Sequence, residues 1–167
     1  MVTQGSIDSR AMNKKEEEVA IFNYLDARLV LFLEVNTRNE ALSQLTDLLD
    51  REKKLIDKQT FLHAILEREK IVSTGIGIGV AIPHAKLAEY SDFFIAIGIQ
   101  KQRGIDWNAL DGSLVRIIFL IGGPENQQTR YLKILSKLTL AIKDEQRRKN
   151  LLKARSSRDV IQVFQGL

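Results

Sequence analysis

Residues 67–84, EREKIVSTGIGIGVAIPH, contain the residue types that a phosphate-handling site needs. The segment ends in His84, one of only two histidines in the chain. A neutral imidazole nitrogen is nucleophilic near pH 7, so it can accept a phosphoryl group and release it again. Arg68 offers a planar guanidinium that matches phosphoryl oxygens, and Glu67 and Glu69 offer carboxylates able to orient an imidazole. We therefore predict that His84 and Arg68 are catalytic.

Three glycines that alternate with apolar residues precede this histidine and predict an anion pocket. Gly75, Gly77 and Gly79 let backbone N–H groups approach a ligand without side chains in the way. Ser73 and Thr74 add two hydroxyls. We predict that these five residues bind phosphate. Taken alone, such a run is more often a close-packed start of a strand, because it is neither a dinucleotide fingerprint nor a Walker loop.

The second histidine, His63, belongs to a different environment. On a helix its neighbours three and four positions away are Gln59, Thr60, Leu66 and Glu67, which form a mostly polar face. We predict an exposed histidine without a part in the chemistry.

The composition excludes several classes of function. There is no cysteine, so disulfides and thiolate metal sites are excluded, and we predict no metal and no cofactor. No apolar run approaches the roughly 20 residues of a membrane span, and the amino terminus lacks a secretory signal, which predicts a cytoplasmic protein without membrane insertion. The net charge is +4, yet the densest basic stretch, residues 143–158, has no aromatic residue on which a base could stack. We predict no nucleic-acid partner.

The elements that position the histidine follow from apolar periodicity. Residues 29–35 predict a buried strand, and Thr37 with Glu40 predicts a capping box at the start of a helix. A second helix is predicted over residues 58–70 with Asp57 as its cap.

The centre of the chain predicts a sheet. Strands are predicted over 80–82, 93–100 and 114–121, with a short extended piece at 105–107, a turn at Asp111-Gly112 and an end of the sheet at Gly122-Gly123-Pro124. A long helix from about residue 125 and two shorter helices follow, the last one capped by Ser156 and Asp159. This order predicts an α/β fold, a mixed β-sheet flanked by helices on both faces. We predict a flexible leader over residues 1–20 and a single domain over residues 21–167.

The segment EREKIVSTGIGIGVAIPHAK resembles the signature of the enzyme IIA domain of the fructose, mannitol and nitrogen-regulatory type in the bacterial phosphotransferase system. GIDWNALDGSLVRIIFLIGGP resembles the next block of that family, so the resemblance covers about residues 24–165. It implies a three-layer α/β/α type-2 domain. It also implies that His84 accepts phosphate from phospho-HPr or a related carrier and passes it to a cysteine or histidine of a IIB-type partner. Arg68 matches the phosphate-orienting arginine of the family.

One departure from the family concerns the long helix. Some members carry a second active-site histidine there, where this sequence reads TRYLKIL, with Tyr131 at or next to that position. A phenol can donate a hydrogen bond but cannot be a cation, so phosphate stabilisation falls on Arg68, with Arg130 as a further candidate.

Two readings of function remain open in the sequence. The first is a phosphoryl relay, either sugar-specific or, slightly favoured, a freestanding component of the nitrogen-regulatory type. The second is a binding module of the same fold that docks on a transporter or regulator without passing phosphate onward. The sugar, the onward transfer past Tyr131 and the oligomeric state are not encoded in any motif.

Overall fold

A computed structural model describes residues 18–167 of the chain. The predicted leader lies outside the described residues except for its last three positions. Over residues 18–167, no helix combines the length and the apolar content that a membrane crossing requires.

The described residues contain two 3-10 helices and five α-helices. The 3-10 helices are Ile21–Tyr24 and Ala27–Leu29, and the α-helices are α1 (Arg38–Arg51), α2 (Lys58–Ile71), α3 (Gln128–Lys143), α4 (Glu145–Lys153) and α5 (Ser157–Gln162). The predicted box at α1 forms in part. Thr37 Oγ1 accepts the Glu40 N–H at 3.3 Å, whereas the Glu40 carboxylate accepts the Thr37 hydroxyl at 2.7 Å. Asp57 caps α2 as predicted, accepting the N–H groups of Gln59 and Thr60.

The strands form one mixed sheet, as predicted. They are β1 (Val30–Phe32), β2 (Gly75–Gly77), β3 (Val80–Ala81), β4 (His84–Leu87), β5 (Phe94–Ile99) and β6 (Ile117–Pro124). Their order is β1-β5-β6-β3-β2, and β4 also pairs with β6. The pairs β1/β5, β3/β6 and β4/β6 are parallel, whereas β5/β6 and β2/β3 are antiparallel.

Alternate side chains of the central strands enter two separate cores. Ile95 and Phe119 pack with α3, α4 and α5 on one face of the sheet. Phe94 and Leu120 pack with α1 and α2 on the other. Because successive side chains of a strand point to opposite faces, two apolar layers of helices cover the sheet. The three-layer α/β/α prediction is confirmed.

The predicted end of the last strand at residue 121 is wrong, because β6 continues through Gly122 and Gly123 to Pro124, where the sheet ends as predicted. The glycines are needed where aromatic rings pack across the strand. An added Cβ at Gly122 would come within 2.8 Å of Phe61 Cε2, and one at Gly123 within 2.9 Å of Phe93 Cγ. The long helix accordingly starts three residues later than predicted.

Other boundaries also differ from the prediction. The first strand is limited to Val30–Phe32, where it pairs with β5. The strands β2 and β4 were not predicted, because each is short and lies beside glycine or proline.

Two basic side chains of the stretch 143–158 close the end of α3. Arg147 Nη1 donates to the Ala141 carbonyl and Arg148 Nη1 to the Ile142 carbonyl, each at 2.7 Å. Cations are stabilising at helix carboxyl ends, so these charges have a structural use.

The strands β3 and β4 are two halves of one line of chain beside β6. Val80 lies opposite Ile117 and His84 opposite Ile121, so both halves keep the same register. Pro83 lies between them, and its carbonyl accepts the Ile121 N–H at 2.9 Å. A proline has no N–H to donate, which suits a strand position at the edge of a sheet. The pairing with β6 on both sides of Pro83 therefore fixes the backbone of His84 and the direction in which its side chain projects.

Candidate active site around His84

His84 is the first residue of β4 and is half-buried. Its Nδ1 lies 3.1 Å from the carbonyl oxygen of Ile82. A carbonyl only accepts hydrogen bonds, so this contact keeps a proton on Nδ1. In the neutral ring the lone pair is then at Nε2, the nitrogen free to attack an electrophile.

The surroundings of His84 favour its neutral form. Burial lowers the pKa of the imidazole, and the positive charges of Arg68 and Lys86 lower it further, against the opposing effects of the Ile82 carbonyl and Glu69. A neutral imidazole is the nucleophilic form. The ring is therefore ready to accept a phosphoryl group near neutral pH.

Tyr131 lies against His84. Its ring centroid is 5.4 Å from that of His84, and Phe93 stacks on it at 6.2 Å. Tyr131 is 4% exposed, in the first turns of α3. Burial raises the pKa of its phenol, and the Arg68 charge partly opposes that rise. The structure therefore brings Tyr131 and His84 together, with a neutral ring at that position.

Lys86 completes this side of the site, and sequence reasoning missed it. Its Nζ lies 4.2 Å above the Tyr131 ring and donates a hydrogen bond to Gln128 Oε1. Burial lowers the pKa of the Lys86 ammonium. The signal that could have found it is the period of a strand, which places residues 84 and 86 on the same face.

Arg68 is in the last turn of α2, and the structure brings it to the same site. Its charge acts on both His84 and Tyr131. Arg68 Nη1 donates to the Val72 carbonyl at 2.9 Å. A guanidinium has five N–H donors, so the remaining ones can bind an anion.

The two carboxylates beside Arg68 do not orient the imidazole, contrary to the prediction. Glu67 pairs with Lys70 on the surface at 2.7 Å. Glu69 is buried and accepts hydrogen bonds from the Thr74 N–H at 3.2 Å and Trp107 Nε1 at 3.3 Å. The backbone carbonyl of Ile82 takes the orienting role because it lies two residues from the histidine on the same chain.

Ser73 and Thr74 already use their hydroxyls within the loop after α2. Thr74 Oγ1 donates to Glu69, and Ser73 Oγ donates to the Trp107 carbonyl. Ser73 Oγ also accepts the Gly75 N–H at 3.0 Å. These contacts fix the loop that carries the Val72 carbonyl toward Arg68.

The glycine hairpin points away from His84. Gly77 and Gly79 have φ values of 90° and 78°, which form the tip between β2 and β3. At this tip the Ile78 N–H donates to the Asp111 carboxylate at 2.9 Å. Gly79 precedes His84 by five residues, about 16 Å of extended chain. The structure does not bring Gly77 and Gly79 to the histidine.

His63 is exposed on α2, as predicted. Asp111 and Gly112 form the predicted turn, in which the Gly112 N–H donates to the Ala109 carbonyl at 3.0 Å. The extended piece at 105–107 contributes a single bridge, Ile105 with Val115.

Comparison with known proteins places this geometry in a family. Residues 23–166 match the family model described as "Phosphoenolpyruvate-dependent sugar phosphotransferase system, EIIA 2". The PTS system fructose-specific EIIABC component of Bacillus subtilis is 38% identical over 134 residues, which are 80% of this chain and 21% of that protein. The nitrogen regulatory protein homolog of Haemophilus influenzae is 37% identical over 109 residues, which are 65% of this chain and 66% of that protein.

The chain thus spans about a fifth of the length of the first relative and about two-thirds of the second. The crystal structure of nitrogen regulatory protein IIA-Ntr from Neisseria meningitidis matches with a TM-score of 0.80 and 28% identity, over 87% of this chain and 99% of that chain. The family match extends over nearly all of the described residues, including the whole site around His84. The chain belongs to the EIIA 2 family of the phosphoenolpyruvate-dependent sugar phosphotransferase system.

Proposed function

We propose that His84 is the phosphoryl-carrying residue of this IIA component and that its Nε2 is the atom that bonds to phosphorus. The hydrogen bond from Nδ1 to the Ile82 carbonyl carries the proposal, because it leaves the lone pair on the nitrogen that points away from the backbone. The lowered pKa of His84 supports it, since the ring stays neutral and nucleophilic near pH 7.

The proposed step exchanges one N–P bond for another. The Nε2 lone pair forms a bond to the phosphorus of phospho-HPr or a related carrier while the N–P bond of the donor breaks, and that electron pair stays on the donor nitrogen. The Nδ1 proton of His84 stays in place, bonded to the Ile82 oxygen. In the second half, a cysteine or histidine of a IIB-type partner takes the phosphoryl group, and the electron pair returns to Nε2.

Arg68 is proposed to bind the phosphoryl oxygens during both halves. Its hydrogen bond to the Val72 carbonyl fixes the guanidinium at the end of α2 and leaves other N–H groups for the anion. Preorganised donors of this kind typically contribute about 3–4 kcal/mol to a transition state. Arg68→Ala is therefore expected to slow transfer about 100-fold or more.

We assign the predicted phosphate-binding residues a supporting role. Ser73 and Thr74 hold the loop behind Arg68 through their hydrogen bonds to the Trp107 carbonyl and Glu69, and Gly75 adds its N–H bond to Ser73 Oγ.

Gly77 and Gly79 are proposed to shape the hairpin tip. An added Cβ at Gly77 would lie 2.9 Å from the Asp111 carboxylate, which already binds this tip. In this proposal no direct contact between these glycines and phosphate is needed.

The partners and the branch are proposals as well. We propose residues 21–167 as one domain that exchanges phosphate with an HPr-like carrier and a IIB-type protein in the cytoplasm. The name of the fructose-specific EIIABC relative supports a IIB partner, because there EIIA belongs to the same component as B. The identities of 38% to this relative and 37% to the nitrogen regulatory homolog are almost equal, so both branches stay in the proposal.

The test is transfer of labelled phosphate from phosphoenolpyruvate through enzyme I and HPr. We expect an acid-labile label on the wild type and none on His84→Ala. His63→Gln is the matched control, because it removes the other histidine from an exposed position, and it should label like the wild type. Equal labelling of His84→Ala, or an unlabelled wild type with a cognate carrier, would contradict the proposal.

The alternative is a module that carries phosphate without passing it onward. Tyr131 is the observation behind it, since a neutral ring lies beside the phosphate carrier. Chase of the labelled protein with fructose-, mannitol- and regulatory-branch IIB partners separates the two. Transfer of label to a IIB partner supports the relay, and a stable label with every partner supports the module.

A further inference from the structure

Lys86 has a position beside His84 and no role in the function proposed above. It follows His84 by two residues on β4, so both side chains leave the same face of the strand. Both also contact Tyr131, His84 at 5.4 Å between ring centroids and Lys86 at 4.2 Å from Nζ to centroid. The His84 imidazole and the Lys86 ammonium thus contact the same aromatic ring, that of Tyr131.

The hydrogen-bond partner of Lys86 among the described residues is neutral. Its ammonium donates to the side-chain oxygen of Gln128, in the first turn of α3. The Gln128 oxygen carries no net charge, whereas a phosphoryl oxygen adds the Coulomb attraction between opposite charges, so an anion within reach can replace this amide. The partial burial of Lys86 also favours binding of an anion, because it lowers the pKa of the ammonium and a negative charge beside it would stabilise the charged form.

We propose that Lys86 is the second cation of the phosphohistidine site, whose ammonium leaves Gln128 and binds the phosphoryl group on His84. This inference rests on the proposed function. It assigns to Lys86 the positive charge that Tyr131 cannot supply. Tyr131 then serves as a neutral platform, and a cation above its ring keeps favourable contact as the side chain turns from one partner to the other.

Arg130, the further candidate for phosphate stabilisation named from the sequence, is in the first turn of α3 and lies in a different place. It lines an open cleft of about 520 Å³ together with Glu18 and Tyr24. Successive residues of a helix are turned by about 100°, so Arg130 and the inward-facing Tyr131 occupy different sides of α3. Arg130 is therefore a matched control that removes the same charge from the same region.

The experiment measures phosphorylation of His84 with two donors. Phosphoramidate, a small N–P donor, reports on the site without protein docking, and phospho-HPr reports on the complete transfer. The variants are Lys86→Met, Lys86→Arg and Arg130→Met, each checked for folding by circular dichroism. We expect Lys86→Met to lower the phosphorylation rate about tenfold with both donors. We also expect it to shift the equilibrium with phospho-HPr about tenfold toward unphosphorylated His84, which is about 1.4 kcal/mol.

Lys86→Arg should recover the rate to within about threefold, since a guanidinium also binds phosphoryl oxygens. Arg130→Met should stay within about twofold of the wild type, as surface charges away from a site do. An NMR measurement distinguishes direct contact of Lys86 with the phosphoryl group from a purely structural role. If Lys86 makes that contact, the ¹⁵N signal of its ammonium should shift when His84 is phosphorylated.

Each failure has its own signature. Wild-type protein that takes no label from either donor would overturn the proposed function and the role of Lys86 with it. A wild type that labels on His84, together with Lys86→Met at the same rate and equilibrium, would overturn the role of Lys86 alone. Equal losses in Lys86→Met and Arg130→Met would also overturn it, because the effect would then be general electrostatics.

Discussion

Glu69→Gln tests whether the buried carboxylate beside Arg68 holds the loop or acts on the imidazole. Glu69 is 4% exposed, and its two oxygens accept the Thr74 N–H, the Thr74 hydroxyl and Trp107 Nε1. Glutamine keeps one oxygen and replaces the other by a donor. If the retained oxygen serves Trp107 and the hydroxyl, an NH₂ group faces the Thr74 N–H, and that buried donor loses its acceptor.

The expected loss of stability follows from these contacts. A buried donor without a partner costs about 1–3 kcal/mol, and the bonds that remain weaken because their acceptor is no longer charged. Relief of the desolvation of a buried carboxylate offsets part of this. We expect a net loss of about 2–3 kcal/mol, which at a urea dependence of about 2 kcal/mol per molar lowers the unfolding midpoint by about 1–1.5 M.

Labelling of His84 should be affected much less. The imidazole is oriented by the Ile82 carbonyl. Apart from the effect of its charge on the His84 pKa, Glu69 is linked to the imidazole through Thr74, whose carbonyl accepts the Ile82 N–H at 3.0 Å. We expect the folded variant to take up phosphate within about tenfold of the wild-type rate, a change of about 1.4 kcal/mol.

Glu67→Gln is the matched control, because it makes the same chemical change on the same helix at an exposed position. Its midpoint and labelling should equal those of the wild type. Equal midpoints for both variants would show that Glu69 does not hold the loop. Loss of label in folded Glu69→Gln as complete as in His84→Ala would show that Glu69 is required for the reaction of the imidazole.

Three further predictions concern the pH dependence, the sheet and the aromatic contact. Burial lowers the pKa of His84 below 6.5, so label uptake should stay constant as the pH falls through 6.5 and decline only below the lowered pKa. As the pH falls, His84 binds a proton at a higher pH in the unfolded chain than in the folded one. Its contribution to stability is therefore present above pH 6.5 and is lost as the pH falls toward the folded pKa. An NMR titration that gives a raised pKa for His84 would contradict this. Gly122→Ala should lower stability by about 1–3 kcal/mol in thermal unfolding, because the added methyl overlaps the Phe94 ring, and an unchanged Tm would argue against that contact. Tyr131→Phe should label within about twofold of the wild type whereas Tyr131→Ala is slower, because the ring and not the phenol contacts His84 and Lys86, and equal loss in both variants would show that the hydroxyl is required.

Local signals in the sequence predicted much of the framework. Asp57 directly precedes α2 and caps it through its side chain, which accepts the N–H of Gln59. Such a cap could be predicted because it involves only residues that are close in sequence. The boundaries failed where distant contacts decide them. Gly122 and Gly123 look like a turn in isolation. They instead continue β6, where the rings of Phe61, Phe93 and Phe94 occupy the space of their missing side chains.

The same division holds for the site. The order Arg68, glycine run, Pro83, His84 is visible along the chain, and it sufficed to predict a phosphohistidine. Which groups touch was not visible. Gly79 lies only five residues before His84 in sequence, yet the extended chain between them spans about 16 Å.

Residue types alone were enough to predict the chemistry that we propose: an imidazole to carry phosphate, a guanidinium to bind it, and no cysteine to offer another carrier. Only the tertiary structure decided how these groups are oriented. The Ile82 carbonyl, not a carboxylate, holds the Nδ1 proton, and Lys86 reaches the site because α3 places Tyr131 and Gln128 over the face of β4. The reason is that a side chain's partners depend on which elements pack against its strand, and α3 lies some 40 residues further along the chain.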